Sequence, residues 1–183
     1  MTVYAPSNVK IIVDAQKGLY QEANDTAQFN INSDVPLNVS GSLVVSGSTT
    51  LADAATDTIT LAGDAYMLKV KEVFAQKVDA TGVVAHDCTT GHVFYHTSPD
   101  ANWTVNLTNF NLPSGYATSV TLVIIQGGTA YIPTAVQIGG AAQTLNWQGN
   151  VVPSGTPNRQ DVVSFSILNV SGTYKVLGQL VSF

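Results

Sequence analysis

The block Val-Ser-Gly-Ser occurs twice in close succession, at 39–42 and at 45–48. Both copies belong to six-residue units, LNVSGS and LVVSGS, and TTLADA follows them at 49–54. Residues two apart in an extended chain lie on the same face, so the leading leucine, the next valine and the glycine of each full unit point one way, and the serines point the other way. The repeat therefore predicts a strand with one narrow apolar stripe.

Such a stripe cannot be buried within a single strand, and neighbouring units must stack to cover it. Three copies of the chain wound about a common axis would cover each stripe with the other two, and the glycines would allow close approach of the backbones. A plain hairpin with Gly-Ser turns is the alternative. In the first interpretation, the core of the trimer shaft consists of Leu37, Val39, Leu43, Val45, Leu51, Ile59 and Leu61.

The composition favours a β protein that associates. Charged residues make up only 10% of the chain, where roughly 25% is usual, so Thr, Ser, Asn and Gln must supply the polar surface. These residues suit the surface of a strand better than that of a helix, and low charge leaves little self-repulsion between copies. The absence of a basic run argues against a nucleic-acid partner. The longest apolar runs, such as VTLVII at 120–125, are too short for membrane insertion.

The sequence divides into three segments. Residues 1–36 are predicted to form an extended N-terminal attachment arm, and residues 37–82 a β-repeat shaft with a connector. Residues 83–183 contain about eight β-branched or aromatic stretches separated by turn clusters, which is typical of a sandwich, jelly roll or barrel. The predicted fold is all-β and trimeric, with an extended arm, a short intertwined β shaft and a C-terminal β-sandwich (jelly-roll-like) head.

The connector itself is ambiguous. Residues 65–82, AYMLKVKEVFAQKVDATG, contain good helix formers, but their apolar positions fit neither a helical nor a strand period cleanly. A short helix or a strand that enters the head are both allowed, and a strand is favoured.

Four motifs of the head carry a resemblance to a known family. They are D-x-x-x-G-x-V-F from Asp87 to Phe94, the segment with Pro113, Gly115, Thr121 and Leu122, the turn with Trp147, Gly149 and Pro153, and Asp161 before Val162 and Val163. In this order they resemble the β-sandwich modules that close bacteriophage virion fibres and appendages, especially those of marine cyanophage-like viruses. The resemblance covers residues 83–183 and implies a trimeric virion protein.

Three histidines lie within one short stretch of the head. His86, His92 and His96 flank a TTG turn beside Asp87 and Cys88. On a hairpin, His86 and His92 would lie across from one another, and a threefold axis would allow one histidine per chain to share a metal ion. The favoured alternative is that they are ordinary polar residues, because their spacing follows no standard ligand pattern. We therefore predict no metal, no cofactor and no catalytic residue.

Aromatic side chains offer a second candidate site. Trp103, Tyr116, Tyr131 and Trp147 are candidates for exposed loop aromatics, which anchor contacts with sugars or proteins. Trp147 lies inside an apolar stretch, so it is predicted to be a core residue. Tyr116 and Tyr131, flanked by small residues, are the predicted contact surface.

These observations together predict a virion structural protein and not an enzyme. The chain would form a homotrimeric short tail, neck or head fibre, assembled in the host cytoplasm, whose N-terminal arm binds other virion proteins and whose head contacts a host-surface glycan or protein. A capsid decoration or cement protein is the alternative, and a polysaccharide-binding or depolymerising module a more distant one. A depolymerase needs paired carboxylates, whereas Asp161 is the one acidic residue after Asp100.

Overall fold

The computed structural model describes residue 59 and residues 64–183. The attachment arm and the shaft residues Leu37, Val39, Leu43, Val45, Leu51 and Leu61 lie outside this part. Ile59, the remaining shaft residue, is 52% exposed. The described residues form ten strands and no α-helix, so the all-β class is confirmed. No helix among them is long and apolar enough to span a membrane.

The strands alternate with short loops and two 3-10 turns, at Cys88–Thr90 and Gln148–Asn150. In chain order they are β1 Phe74–Val78, β2 Gly82–Asp87, β3 Val93–Thr97, β4 Trp103–Thr108, β5 Ala117–Ile125, β6 Pro133–Ile138, β7 Ala141–Gln143, β8 Leu145–Trp147, β9 Gln160–Val170 and β10 Thr173–Ser182.

These strands form two sheets. The larger has six strands in the order β1-β3-β5-β9-β10-β8, and the smaller has four in the order β2-β4-β6-β7. From β1 to β6 the chain changes sheet at every strand, so each strand lies parallel to the one two before it. The five residues between β2 and β3 can span at most roughly 16–18 Å, which is enough to cross the roughly 10 Å between packed sheets.

Side chains from both sheets enter one buried core. Along β4, Trp103, Val105 and Leu107 are buried and alternate with half-buried neighbours, as a strand with one core face requires. The six-stranded sheet contributes Phe94, Leu122, Ile124, Val163, Phe165 and Ile167, all with no exposed surface. The core therefore lies on one face of each sheet.

Two details of the predicted topology are wrong. Jelly rolls are built from antiparallel strands, whereas five of the eight strand pairings are parallel. The TTG segment at 89–91 also does not close a hairpin, because β2 and β3 on either side of it belong to different sheets. At the TTG segment, a short loop crosses between sheets where a hairpin turn was considered.

The connector enters the larger sheet through β1. Residues 64–73, hereafter called the connector, have no regular structure and lead into β1, which pairs with β3, so the sheet begins at Phe74. The carboxylate of Glu72 accepts a hydrogen bond from the backbone N–H of His92 at 2.7 Å. A Cβ on Gly91 would lie 2.6 Å from the carbonyl oxygen of Val73. The hydrogen bond fixes the end of the connector beside the start of β3, and the missing side chain of Gly91 allows the two backbones to approach closely.

Candidate functional site

The connector is the part of the described chain with the greatest exposure of apolar side chains. Every residue from 64 to 73 is exposed. The exposed fractions are 96% for Tyr66, 65% for Met67, 103% for Leu68, 74% for Val70 and 73% for Val73. Burial of one such side chain contributes about 1.5–3 kcal/mol. A partner surface that covered the connector would therefore gain a large hydrophobic stabilisation.

The two tyrosines predicted as a contact surface lie at opposite ends of β5. Tyr116 precedes the strand and is 64% exposed, and it lines a groove of about 250 Å³ with Leu168 and Val170. Tyr131 follows the strand and is half-buried against the core. Because β5 has nine residues and rises about 3.3 Å per residue, the two side chains cannot share one small contact site.

The other aromatic candidates lie in the core. Trp147 is 8% exposed and packs near Phe165, with ring centroids 6.1 Å apart, in agreement with its predicted core position. Trp103, a candidate for an exposed loop aromatic, is 1% exposed at the start of β4. The loop interpretation of Trp103 is wrong because the residue begins a strand directly after a turn.

An uncharged groove, absent from the sequence-based predictions, lies beside β8, β9 and β10. It encloses about 390 Å³ and is lined by the side chains or backbone of Asn146, Trp147, Gln148, Ser164, Ser166, Leu177, Gly178 and Gln179. Uncharged amides and hydroxyls are the groups that hydrogen-bond sugar hydroxyls without a charge penalty. Only the three-dimensional pairing of β8 with β10 brings these residues together.

Two of the three histidines meet inside the core. His86 on β2 and His96 on β3 are both fully buried, and their Nε2 atoms lie 3.0 Å apart. The Nδ1 of His86 lies 2.9 Å from the carbonyl oxygen of Val84 and must donate to it. The Nε2 of His86 is then an acceptor, and His96 donates to it from its own Nε2. This hydrogen bond joins the two sheets.

His96 Nδ1 is consequently a bare acceptor. It has no hydrogen-bond partner within the described residues, and neither does the indole N–H of Trp103. The rings of His96 and Trp103 stack with centroids 5.1 Å apart. Each unpaired buried polar group of this kind costs about 1–3 kcal/mol, so this cluster destabilises the folded state locally.

Burial keeps both imidazoles neutral. Desolvation, followed by repulsion from His96 and from Lys77, lowers the pKa of His86 to about 3, although the hydrogen bond to Val84 opposes the shift. Desolvation and then Lys77 lower the pKa of His96 to about 4. Lys77 pairs in register with His96 across β1 and β3, which explains why its charge acts on the pair.

Within one chain, the three histidines do not come together. His92 lies apart from the pair, with its Nδ1 3.3 Å from the hydroxyl of Thr118. Among the described residues there is no group of three or more His, Cys, Asp or Glu that could hold a metal ion. Burial raises the pKa of the Cys88 thiol to about 11, with Asp87 adding to the effect, so this thiol is a poor nucleophile.

A buried carboxylate organises a second polar part of the core, two strands away from His96 in the same register row. Asp161, at the start of β9, is fully buried. It accepts hydrogen bonds from the Gln126 side chain at 2.8 Å, from the backbone N–H of Thr156 at 3.0 Å and from the hydroxyl of Ser182. Gln126 also bonds both backbone polar groups of Tyr131. These bonds satisfy the carboxylate and fix two loops and the C-terminal strand.

Comparisons with known proteins identify no relative. No family model, no curated protein and no solved structure matches this chain. The function must therefore be argued from the geometry above and from the sequence motifs.

Proposed function

We propose that this chain is a phage virion structural protein, a homotrimeric short fibre anchored by its N-terminal residues and ending in a β-sandwich head. The observation that carries the proposal is the exposed connector. Soluble monomers rarely expose a contiguous run of large apolar side chains, and residues 66–73 expose five of them at 65% or more. Copies of the chain that run side by side would cover these residues.

Two further features support a structural role. The exposed connector residues come after the stretch that contains the six-residue repeat, so the sequence has apolar residues without an evident cover in both segments. The two-sheet head contains the motifs that resemble virion fibre modules. Fibres that act in several copies can bind firmly through individually weak contacts, because each engaged copy raises the effective concentration of the next.

Weakened connector contacts test the proposal. We expect the double variant Tyr66→Ser/Leu68→Ser to dissociate at higher concentration than the natural chain in sedimentation equilibrium, since two apolar contacts per copy are lost. Val151→Ser/Val152→Ser, at loop positions that are 68% and 59% exposed, is the matched control. Equal dissociation of both variants and the natural chain would rule the connector out as the association surface.

The place on the particle needs its own experiment. Antibodies against the head, applied to virions that carry this protein, should label projections from the tail, neck or head of the particle. Uniform labelling of the shell would instead support a capsid decoration protein. The absence of any virion labelling would reject the virion role itself.

The uncharged groove supports a glycan as the ligand of the head. Its lining combines amides and hydroxyls with apolar surface from Trp147 and Leu177 and contains no charged residue, which matches a neutral sugar better than an anionic one. We expect Asn146→Ala/Gln148→Ala, at groove positions outside the outward rows of β9 and β10, to reduce retention on immobilised host-surface glycans. Tyr116→Ala should reduce retention instead if the exposed tyrosine is the contact. Shortened glycan chains after incubation would indicate a depolymerase.

A further inference from the structure

The outward face of the six-stranded sheet is apolar across five neighbouring strands. The side chains that turn away from the core are placed in three rows by the strand register. This apolar face comprises Phe74 and Val78 on β1, Val93 and Tyr95 on β3, Val123 and Ile125 on β5, Val162 on β9 and Val181 on β10. Each alternates with a residue of the core side, so the face lies opposite the core.

No charged side chain interrupts these rows. Their other members are Gln76, Thr97, Thr121, Gln160, Ser164 and Gln179. Phe74 and Val78 are each 59% exposed and Val181 is 50% exposed. Phe74 lies edge-on to Tyr95, with ring centroids 5.9 Å apart. A sheet face that meets water is normally polar, whereas eight of these fourteen positions are apolar and none is charged.

Pairing direction gives an independent reason to expect a cover. The strands β1, β3 and β5 are parallel to one another, and parallel strands are normally covered on both faces. The segment VTLVII in β5 is apolar on both faces: Leu122 and Ile124 are fully buried, while Val123 and Ile125 are half-buried on the outside. Such a run is typical of a strand covered on both sides.

We propose that the heads of further copies of this chain meet at the apolar face, an inference that rests on the trimeric fibre proposed above. The position of the connector selects this occupant. It enters the head through β1, the edge strand that carries Phe74 and Val78, and Glu72 fixes it to β3 there. A stem shared by several copies therefore brings this edge of each head nearest to the common axis.

The size of the face defines how it can act. Four strand spacings and three rows give a patch of roughly 20 by 20 Å, or about 400 Å², whereas a stable interface buries about 800 Å² per partner. The face alone is too small to hold copies together. It becomes effective when the connector keeps the heads close, since residues 64–73 reach at most roughly 35 Å when extended.

Cross-linking of the full chain tests the inference. In a Cys88→Ala background, a single cysteine is introduced at Gln76, in the middle of the β1 edge of the face. Val83→Cys is the matched control, because Val83 is also exposed, at 59%, but lies on β2 of the other sheet. A short bifunctional maleimide should yield covalent dimers with Gln76→Cys and not with Val83→Cys.

Charge substitutions provide the energetic test. Phe74→Asp/Val181→Asp should raise the dissociation constant of the assembly by about tenfold or more, because like charges would be brought together. Val83→Asp/Val151→Asp should leave it unchanged. All four positions are at least 50% exposed, so folding is preserved, which circular dichroism verifies.

The outcomes separate this inference from the function on which it rests. An assembly of three copies without cross-links at position 76, and without sensitivity to the charge pair, would overturn the head contact and leave the fibre intact. A single-chain mass with a protected cysteine at position 76 would mean that the chain's own N-terminal residues cover the face. A single-chain mass with a freely reactive cysteine there would mean that nothing covers it. Either monomeric result overturns both proposals.

Discussion

The buried histidine pair makes stability depend on pH. Unfolded histidine titrates near 6.5, while the folded pKa values are about 3 for His86 and about 4 for His96. Below pH 6.5 the unfolded state therefore binds more protons. The stabilisation is fully present above pH 6.5 and falls by about 1.4 kcal/mol per pH unit for each histidine as the pH approaches the folded values.

This slope is measurable by urea denaturation between pH 7.5 and pH 5. The natural chain should lose stability as the pH falls, and His86→Leu/His96→Leu should be nearly flat, because both imidazoles are removed together. His92→Gln, outside the pair, controls for the loss of a histidine and should keep the slope. An unchanged slope in the double variant would show that other groups cause the pH dependence.

Gly91 allows the connector to lie close to the sheet. Its φ is 122°, and a Cβ at this position would lie 2.6 Å from the carbonyl oxygen of Val73, so there is no room for a side chain. We expect Gly91→Ala to lower the free energy of unfolding by about 1–3 kcal/mol. Gly127→Ala, where a Cβ would meet nothing within 4 Å, should be nearly neutral in the same denaturation experiment. Equal effects at both positions would contradict the steric explanation.

At the scale of single residues, burial is predictable from the sequence where the strand pattern is clear. The position of Trp147 in a predicted strand indicates a core residue, and this residue is 8% exposed. The contact between His86 and His96 could not be predicted, since it joins two sheets across a loop whose turn residues suggest a hairpin. A pattern of local spacing contains no information about which sheet the next strand enters.

At the scale of elements, the Asp161 network joins parts of the chain that are distant in sequence. In Asp161→Asn, an amide replaces the carboxylate that accepts hydrogen bonds from the N–H groups of Gln126 and Thr156. The amide has one acceptor oxygen where the carboxylate has two. We expect a loss of about 1–3 kcal/mol for the unmatched donors, with selective loosening of the 151–159 loop in hydrogen exchange. Asp100→Asn, at an exposed position, is the control. Matched stability of the two variants would show that the network is dispensable.

The strands themselves were predictable, but their pairing was not. Alternating apolar residues and turn clusters indicate a β head, and nine strands lie between residues 82 and 182. Parallel pairing from β1 to β6 arises because short loops cross between sheets, and such loops contain the same Gly, Thr, Ser and Asn residues as hairpin turns. A strand was favoured within residues 65–82, but its start at Phe74 could not be predicted, because these residues fit no clear period.

At the scale of the whole molecule, two exposed apolar surfaces support the proposed association with other copies of the chain. The connector exposes large apolar side chains along its full length, and the apolar face of the six-stranded sheet continues from the strand that the connector enters. Low overall charge, at 10% of residues, leaves little repulsion against association. The exposed apolar side chains are unfavourable in water for a single chain, and their burial between copies would stabilise the proposed fibre.

The most direct test is the molar mass of the purified 183-residue chain, measured by light scattering in dilute solution after size-exclusion chromatography. The account predicts one species with three times the 19.2 kDa mass of the chain. A well-folded species of 19.2 kDa that persists as the protein is concentrated would contradict it.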